Sequence, residues 1–118
     1  MFVSINHIPV KEGREADFEK MFLERDRVVE KQDGFVSLDI LKPGSKRVMG
    51  GAPEALEHEY QVMTRWRNEE AFKNWVGSED FKKSHSREVD KSIFSGKSYL
   101  TFHHSVEGAG ATKELVEQ

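Results

Sequence analysis

HEYQVMTRWRNEEAFKNWVGSEDFKKSH, residues His58 to His85, changes its hydrophobic period midway, and that change decides the fold. Tyr60, Val62, Thr64 and Trp66 alternate over residues 58–66, the period-two pattern of a strand with one buried face. From Asn68 onward the apolar residues Phe72, Trp75 and Val76 stand three and four apart, which gathers them on one helix face. Asn68 suits the N-cap position, and Glu69 and Glu70 place carboxylates in the first turn, where the helix dipole favours them. Gly77 is expected to end this helix and Ser78 to cap a second piece that opens with Glu79 and Asp80. The helix therefore restarts in a new direction. In the second piece Phe81 and His85 are four apart and share a face, while Lys82, Lys83 and Ser86 stay in water.

Working outward, residues 2–9 alternate Phe2, Ser4, Asn6 and Ile8 with Val3, Ile5 and His7, a strand closed by Pro9. Phe18, Met21, Phe22, Val28 and Val29 recur at helical spacing between Gly13 and Gly34, predicting an amphipathic helix from Glu15 to about Lys31. Phe35–Leu41 reads as a strand, residues 42–57 as a long Gly- and Pro-containing loop, and Ser98–Ser105 as the last strand. Strand, helix, strand, repeated once, is the split β-α-β order of an α+β, ferredoxin-like fold, an antiparallel sheet with helices over one face. The strands are rich in Val, Leu, Phe, Tyr and Trp, so the other face is expected to be apolar and to pack on a second copy, closing a β-barrel across a homodimer. One domain over 1–107 and a polar, Gly-rich tail over 108–118 follow from the same pattern.

Composition narrows the function. The 118 residues are 36% hydrophobic and 33% charged, with a formal net charge of -3. That balance suits one modest core and gives no basic face for nucleic acid. There is no cysteine, which excludes disulfides, thiolate ligands and iron-sulfur clusters and fits a reducing compartment. No apolar run approaches the roughly 20 residues that span a bilayer, and MFVSINHIPV lacks a basic start and cleavage site, so a cytoplasmic protein without membrane attachment is expected. No Gly-rich dinucleotide fingerprint is present.

Helices over a sheet leave room for an apolar cavity with a few polar groups, the usual makeup of a small-molecule site. Trp75, Phe81, Phe18 and Phe22 are expected to line it, with Asn6 from the first strand and His85 projecting inward. At these positions the chain resembles the haem-degrading monooxygenases, of staphylococcal and mycobacterial type, within the dimeric antibiotic-biosynthesis-monooxygenase-like superfamily. The resemblance runs through "IN" in the first strand, FEKMFLERDRVVE, GFVSLDILKP and VMTRWRNEEAFKNWVGSEDFKKSH. Its specific part is the combination of Asn6, Trp75 and His85, which matches the family's catalytic trio.

The resemblance implies that His85 is the proximal ligand to haem iron through a neutral imidazole nitrogen, the metal ligand of the site. It implies that Asn6 donates a hydrogen bond on the distal side, and that Trp75 presses on the porphyrin and ruffles it. Phe22 matches an aromatic pocket position and Arg25 a basic residue near the pocket. Phe81, beside His85, joins them as a haem contact. Haem would be substrate and oxygen activator at once. Electrons would come from an external reductase or a small-molecule reductant.

Each residue also has an ordinary reading: histidines on helices are mostly structural, tryptophans mostly core, and Arg25 can snorkel. Asn6 is harder to dismiss, because a buried amide on a strand costs free energy unless it is satisfied. His7 should face away from the cavity, and His103 and His104, being adjacent on a strand, should point apart. Lys46 and Arg47 in the long loop could meet haem propionates, but read more simply as surface charge. Two other functions share this frame: a cofactor-independent monooxygenase acting on quinols or polyketides, and a haem-binding dimer without turnover.

Overall fold

β1 (Phe2–Pro9), α1 (Glu15–Leu23), β2 (Phe35–Leu41), the two-residue strands β3 (Ser45–Lys46) and β4 (Glu54–Ala55), β5 (Glu59–Trp66), α2 (Glu69–Val76), α3 (Glu79–His85) and β6 (Tyr99–His104) follow in chain order. The computed structural model describes residues 1–113; the part of the expected tail from 114 onward lies outside them. β2, β5, β1 and β6 lie side by side in that order, and each neighbouring pair is antiparallel. Strand β5 is thus inserted between β1 and β2, interleaving the two halves as the ferredoxin-like order requires. No helix among the described residues is long and apolar enough to cross a membrane.

The sheet alternation places Phe2, Ser4, Ile8, Tyr60, Val62 and Trp66 under the helices, all buried. Two clusters form there. Ile8, Val10, Phe18, Tyr60, Val62 and Ile93 pack beneath α1, and Phe2, Trp66, Ala71 and Trp75 pack beneath α2. Helix α1 is fastened to β5 by the Tyr60 hydroxyl, which donates to Glu19 Oε2 at 2.5 Å. The bond holds the Glu19 carboxyl below its ordinary range, while burial, then Glu19, pushes the Tyr60 phenol up. Opposite, α2 comes so close to the β2 entry that a Cβ on Gly34, at φ +82°, would collide with that of Ala71.

Helix α1 is shorter than its apolar spacing predicts, stopping at Leu23 instead of about Lys31. Arg25 causes the stop to hold: its backbone N–H and its Nη1 both donate to the Phe22 carbonyl, at 3.3 and 2.9 Å. Val29–Lys31 then forms a single 3-10 turn. Arg25 and Arg27 both reach Glu30, at 3.0 and 3.1 Å, and lock the chain in the turned conformation. The 42–57 loop carries a short β3-β4 ribbon, on which Lys46 lies 3.6 Å from Glu54 and Arg47 donates to the Gly51 carbonyl at 2.7 Å.

The sheet's second face is less apolar than the strand composition suggests. Register places Ile5 and Met63 at its middle, but also Asp39, Gln61, Arg65 and Thr101. On that face His7 lies 2.8 Å from Glu59 through Nδ1 and 2.9 Å from Thr101 Oγ1 through Nε2, stacked on Tyr99. Apolar surface is also left open on the helix side of β6, where Leu100 and Phe102 are half-exposed although Phe102 meets Phe72 of α2 edge-on at 5.6 Å.

Candidate active site

Between the two core clusters the sheet floor is not covered by a helix, and a cavity of about 270 Å³ opens there. Asn6 of β1 and Val62 and Thr64 of β5 form its floor, with Leu38 of β2 beside them. Met21, Phe22 and Arg25 supply one wall, and Trp75, Ser84 and His85 the other. The shortness of α1 makes this space, because a helix continued past Leu23 would have crossed it. The cavity adjoins an open groove of about 1240 Å³ that shares Asn6, Met21, His85, Arg87 and Val89 with it. Together they span the usual range for small-molecule sites, roughly 300–1,000 Å³.

The turn between α2 and α3 aims the far wall. Asn68 caps α2 by accepting from the Ala71 N–H at 2.9 Å, as the sequence predicts. At the break the serine rather than the glycine does the work. Gly77 sits at φ -85°, a conformation open to any residue, and an added Cβ would meet only ordinary contacts. Ser78 turns extended; its Oγ donates to the Trp75 carbonyl at 2.6 Å and accepts from the Phe81 N–H at 3.1 Å. One hydroxyl therefore closes α2 and opens α3. Ser78→Ala should lose about 1 kcal/mol of stability and Gly77→Ala almost none, as read by denaturant melts of the two variants.

Of the residues expected at the site, Asn6, Phe22, Arg25, Trp75 and His85 all line the inner cavity. Phe18 and Phe81 do not, against the expectation that they would. Phe18 is fully buried in the cluster beneath α1, against Tyr60 and Phe22. Phe81 lies behind the wall: its ring stacks on His85 at 3.9 Å between centroids and meets Trp75 edge-on at 5.3 Å. It therefore orients the two side chains that face the cavity. Val76, expected on the apolar face of α2, is exposed, and Ala71 takes the buried place.

His85 Nδ1 lies 2.9 Å from the Phe81 carbonyl and 3.0 Å from Ser84 Oγ, whose hydroxyl donates to the same carbonyl; in the tautomer with Nδ1 protonated, that nitrogen donates to the carbonyl as well. The Nε2 lone pair is left free to bind a Lewis acid, the arrangement usual for a ligating histidine whose other nitrogen is held by a backbone carbonyl. Among the described residues no group of three or more His, Asp or Glu side chains could hold a metal ion. A metal at His85 would thus arrive with ligands of its own.

Asn6 Oδ1 and Arg25 Nε are buried without a hydrogen-bond partner among the described residues. A buried amide left unsatisfied costs about 1–3 kcal/mol, so these atoms mark where a bound molecule would be repaid with hydrogen bonds. Arg25 is otherwise held by Glu30 and the Phe22 carbonyl, with its guanidinium 5.9 Å from the Phe22 ring centre. Two further lining residues, Arg87 and Val89, carry no signal in the sequence pattern. They lie on an irregular segment with no periodicity to read.

The remaining four histidines are elsewhere. His7 faces the opposite side of the sheet, His58 lies 3.5 Å from Glu57 just before β5, His103 approaches Thr101 Oγ1 at 3.0 Å, and His104 packs its ring on Phe2.

Comparison with known proteins gives a consistent set of relatives. The family described as "Antibiotic biosynthesis monooxygenase" matches residues 1–87. A "Heme oxygenase (mycobilin-producing)" of Mycobacterium tuberculosis is 31% identical over 111 residues, which cover 94% of this chain and 95% of that protein. Among solved structures, the heme-degrader MhuD from Mycobacterium tuberculosis, with two hemes bound in its active site, superposes with a TM-score of 0.66. It is 27% identical and covers 93% of this chain and all of that one. SnoaB, a cofactor-independent oxygenase from Streptomyces nogalater, has a TM-score of 0.63 at 16% identity, over 93% of this chain and 97% of its own, and shares the fold.

Proposed function

Because the chain belongs to the antibiotic biosynthesis monooxygenase family, we propose that it is a haem-degrading monooxygenase that binds haem through His85 and opens the porphyrin ring with oxygen and external electrons. The observation that carries the reading is the wall shared by the two cavities: His85 with Nδ1 spoken for and Nε2 free, beside Asn6, whose buried oxygen has no partner. The 31% identity to a heme oxygenase across nearly the whole chain supports the same substrate.

Bound haem supplies both the iron that activates oxygen and the ring that is oxidised. The chain's own residues do the rest. Nε2 of His85 holds the iron on one side, and the Phe81 carbonyl and ring fix the angle of the imidazole. Met21, Phe22, Val29, Leu38 and Val62 give the apolar walls that exclude water from the ring. Trp75, buried and braced edge-on by Phe81, would bear on the porphyrin from the cavity wall. The Asn6 carboxamide on the cavity floor would face the occupant, and rotation of the amide presents either its oxygen or its NH2 group to it. Arg25 stands in the cavity wall with its buried Nε–H unpartnered among the described residues. Electrons come from outside, from a reductase or a small reductant. A second copy covers the far face of the sheet, where Val3, Ile5 and Met63 form the apolar middle of a rim that is otherwise polar.

Titration of the purified protein with haem, followed by absorbance, tests the binding half of the reading. A saturable Soret shift with one plateau is expected; a linear rise equal to that of haem in buffer would remove haem from the account and leave the cofactor-independent oxygenase chemistry.

A further inference from the structure

We infer that Arg87 is the carboxylate-binding residue of this site, the group that selects a porphyrin bearing free propionates and fixes its rotation about the bond to His85; the inference rests on the haem reading. Among the chain's seven arginines, Arg14, Arg25, Arg27, Arg47, Arg65 and Arg67 each bond a carboxylate, a carbonyl or a sulfur. For Arg87 no hydrogen bond or ion pair is found among the described residues. Yet it lines both the inner cavity and the outer groove, two residues from His85.

Its backbone is held in place from both sides. Behind it is the end of α3 at His85. Ahead of it Asp90 takes Arg14 Nη2 at 3.1 Å and the Ser92 hydroxyl and N–H, and the chain is then tied to β1 by Lys11 N–H to the Ile93 carbonyl and Ser95 N–H to the Pro9 carbonyl. Among the described residues the other charged groups on the two cavities are Arg25 and Asp26 within, and Glu88, Asp90 and Lys91 on the groove. Glu30 neutralises Arg25, and Arg14 neutralises Asp90. Arg87 is thus the one arginine there with its charge uncompensated.

The geometry of the ligand completes the argument. Haem has an apolar edge and an edge with two carboxylates. The inner cavity, walled by Met21, Phe22, Leu38, Val62 and Trp75, accepts the apolar edge. The carboxylate edge must then face the open groove, where Arg87 stands. A guanidinium fork matches a carboxylate bidentately, which a lysine such as Lys91 does not. Holding that edge sets the rotation of the ring, and hence which bridging carbon lies against Asn6 and Trp75.

The test crosses protein and ligand: wild type, Arg87→Ala, Arg87→Lys and the control Lys82→Ala, each titrated by Soret absorbance with haem and with its dimethyl ester. Arg87→Ala should weaken haem binding about tenfold and leave the ester unchanged, with Arg87→Lys in between and Lys82→Ala like wild type, since one charge-assisted pair is worth roughly a decade in affinity. Equal effects on haem and ester, or none on either, would overturn the assignment of Arg87 while a His85-dependent Soret band kept the haem reading intact. Absence of that band in the wild type would overturn both.

Discussion

Replacing His85 with alanine should abolish the saturable Soret band that haem forms with the wild-type chain, a loss of about a hundredfold or more in affinity. Even outer partners of metal-bound histidines typically contribute 10–100-fold, so removal of the ligand itself cannot cost less. No neighbouring side chain can replace it. The described residues offer no second cluster of ligating groups, and His7, His103 and His104 are held elsewhere by Thr101 and Phe2. The protein should stay folded, because His85 is exposed at the end of α3 and its loss leaves no cavity in either core cluster. Circular dichroism on the same sample checks this. Unchanged haem binding by a folded His85→Ala variant would show that iron is held by another group.

Asn6→Ala should separate binding from chemistry. Haem affinity is expected to stay within a few-fold, because His85 and the apolar walls remain, while the rate of ring opening falls by about 10²–10³, the usual cost of removing a preorganised polar group aimed at developing charge. An amide on the cavity floor whose Oδ1 has no partner among the described residues is not fixed by the fold and can turn its NH2 group toward an occupant. A purely structural amide would have been satisfied within the fold, since orphaned polar atoms are scarce in native interiors. Single-turnover decay of the Soret band in air, wild type against variant at saturating haem, gives the ratio. Equal rates would reduce Asn6 to a filler of the cavity floor.

Much of this was legible in the sequence because periodicity carries it. The alternation of Tyr60, Val62, Thr64 and Trp66 fixed β5 and its buried face, and the cap residues Asn68 and Ser78 fixed where α2 and α3 begin. Asn6 was placed on the helix side of β1 by the same period. What the sequence misread depended on contacts between distant residues. Apolar spacing ran on to Val29, but Arg25 bonds back to Phe22 and pairs with Glu30, ending α1 early and opening the cavity. Phe18 and Phe81 share faces with the site residues, yet the depth of packing puts one in the core and the other behind His85. Gly77 looked like the breaker, whereas the two hydrogen bonds of the Ser78 hydroxyl make the turn. Arg87 lies on a segment with no period, positioned by the end of α3 behind it and by long-range ties ahead of it such as Asp90 to Arg14.

The central claim is that haem is a substrate here and not cargo, and aerobic turnover tests it directly. Haem-loaded protein is mixed with ascorbate and catalase in air, with a ferrous-iron chelator present, and followed by absorbance. The account predicts that the Soret band decays to a bilin-like spectrum with about one iron released per haem, dependent on reductant and on Asn6. A Soret band that is saturable and lost in His85→Ala, yet stable for hours under those conditions, would contradict it and make the protein a haem carrier.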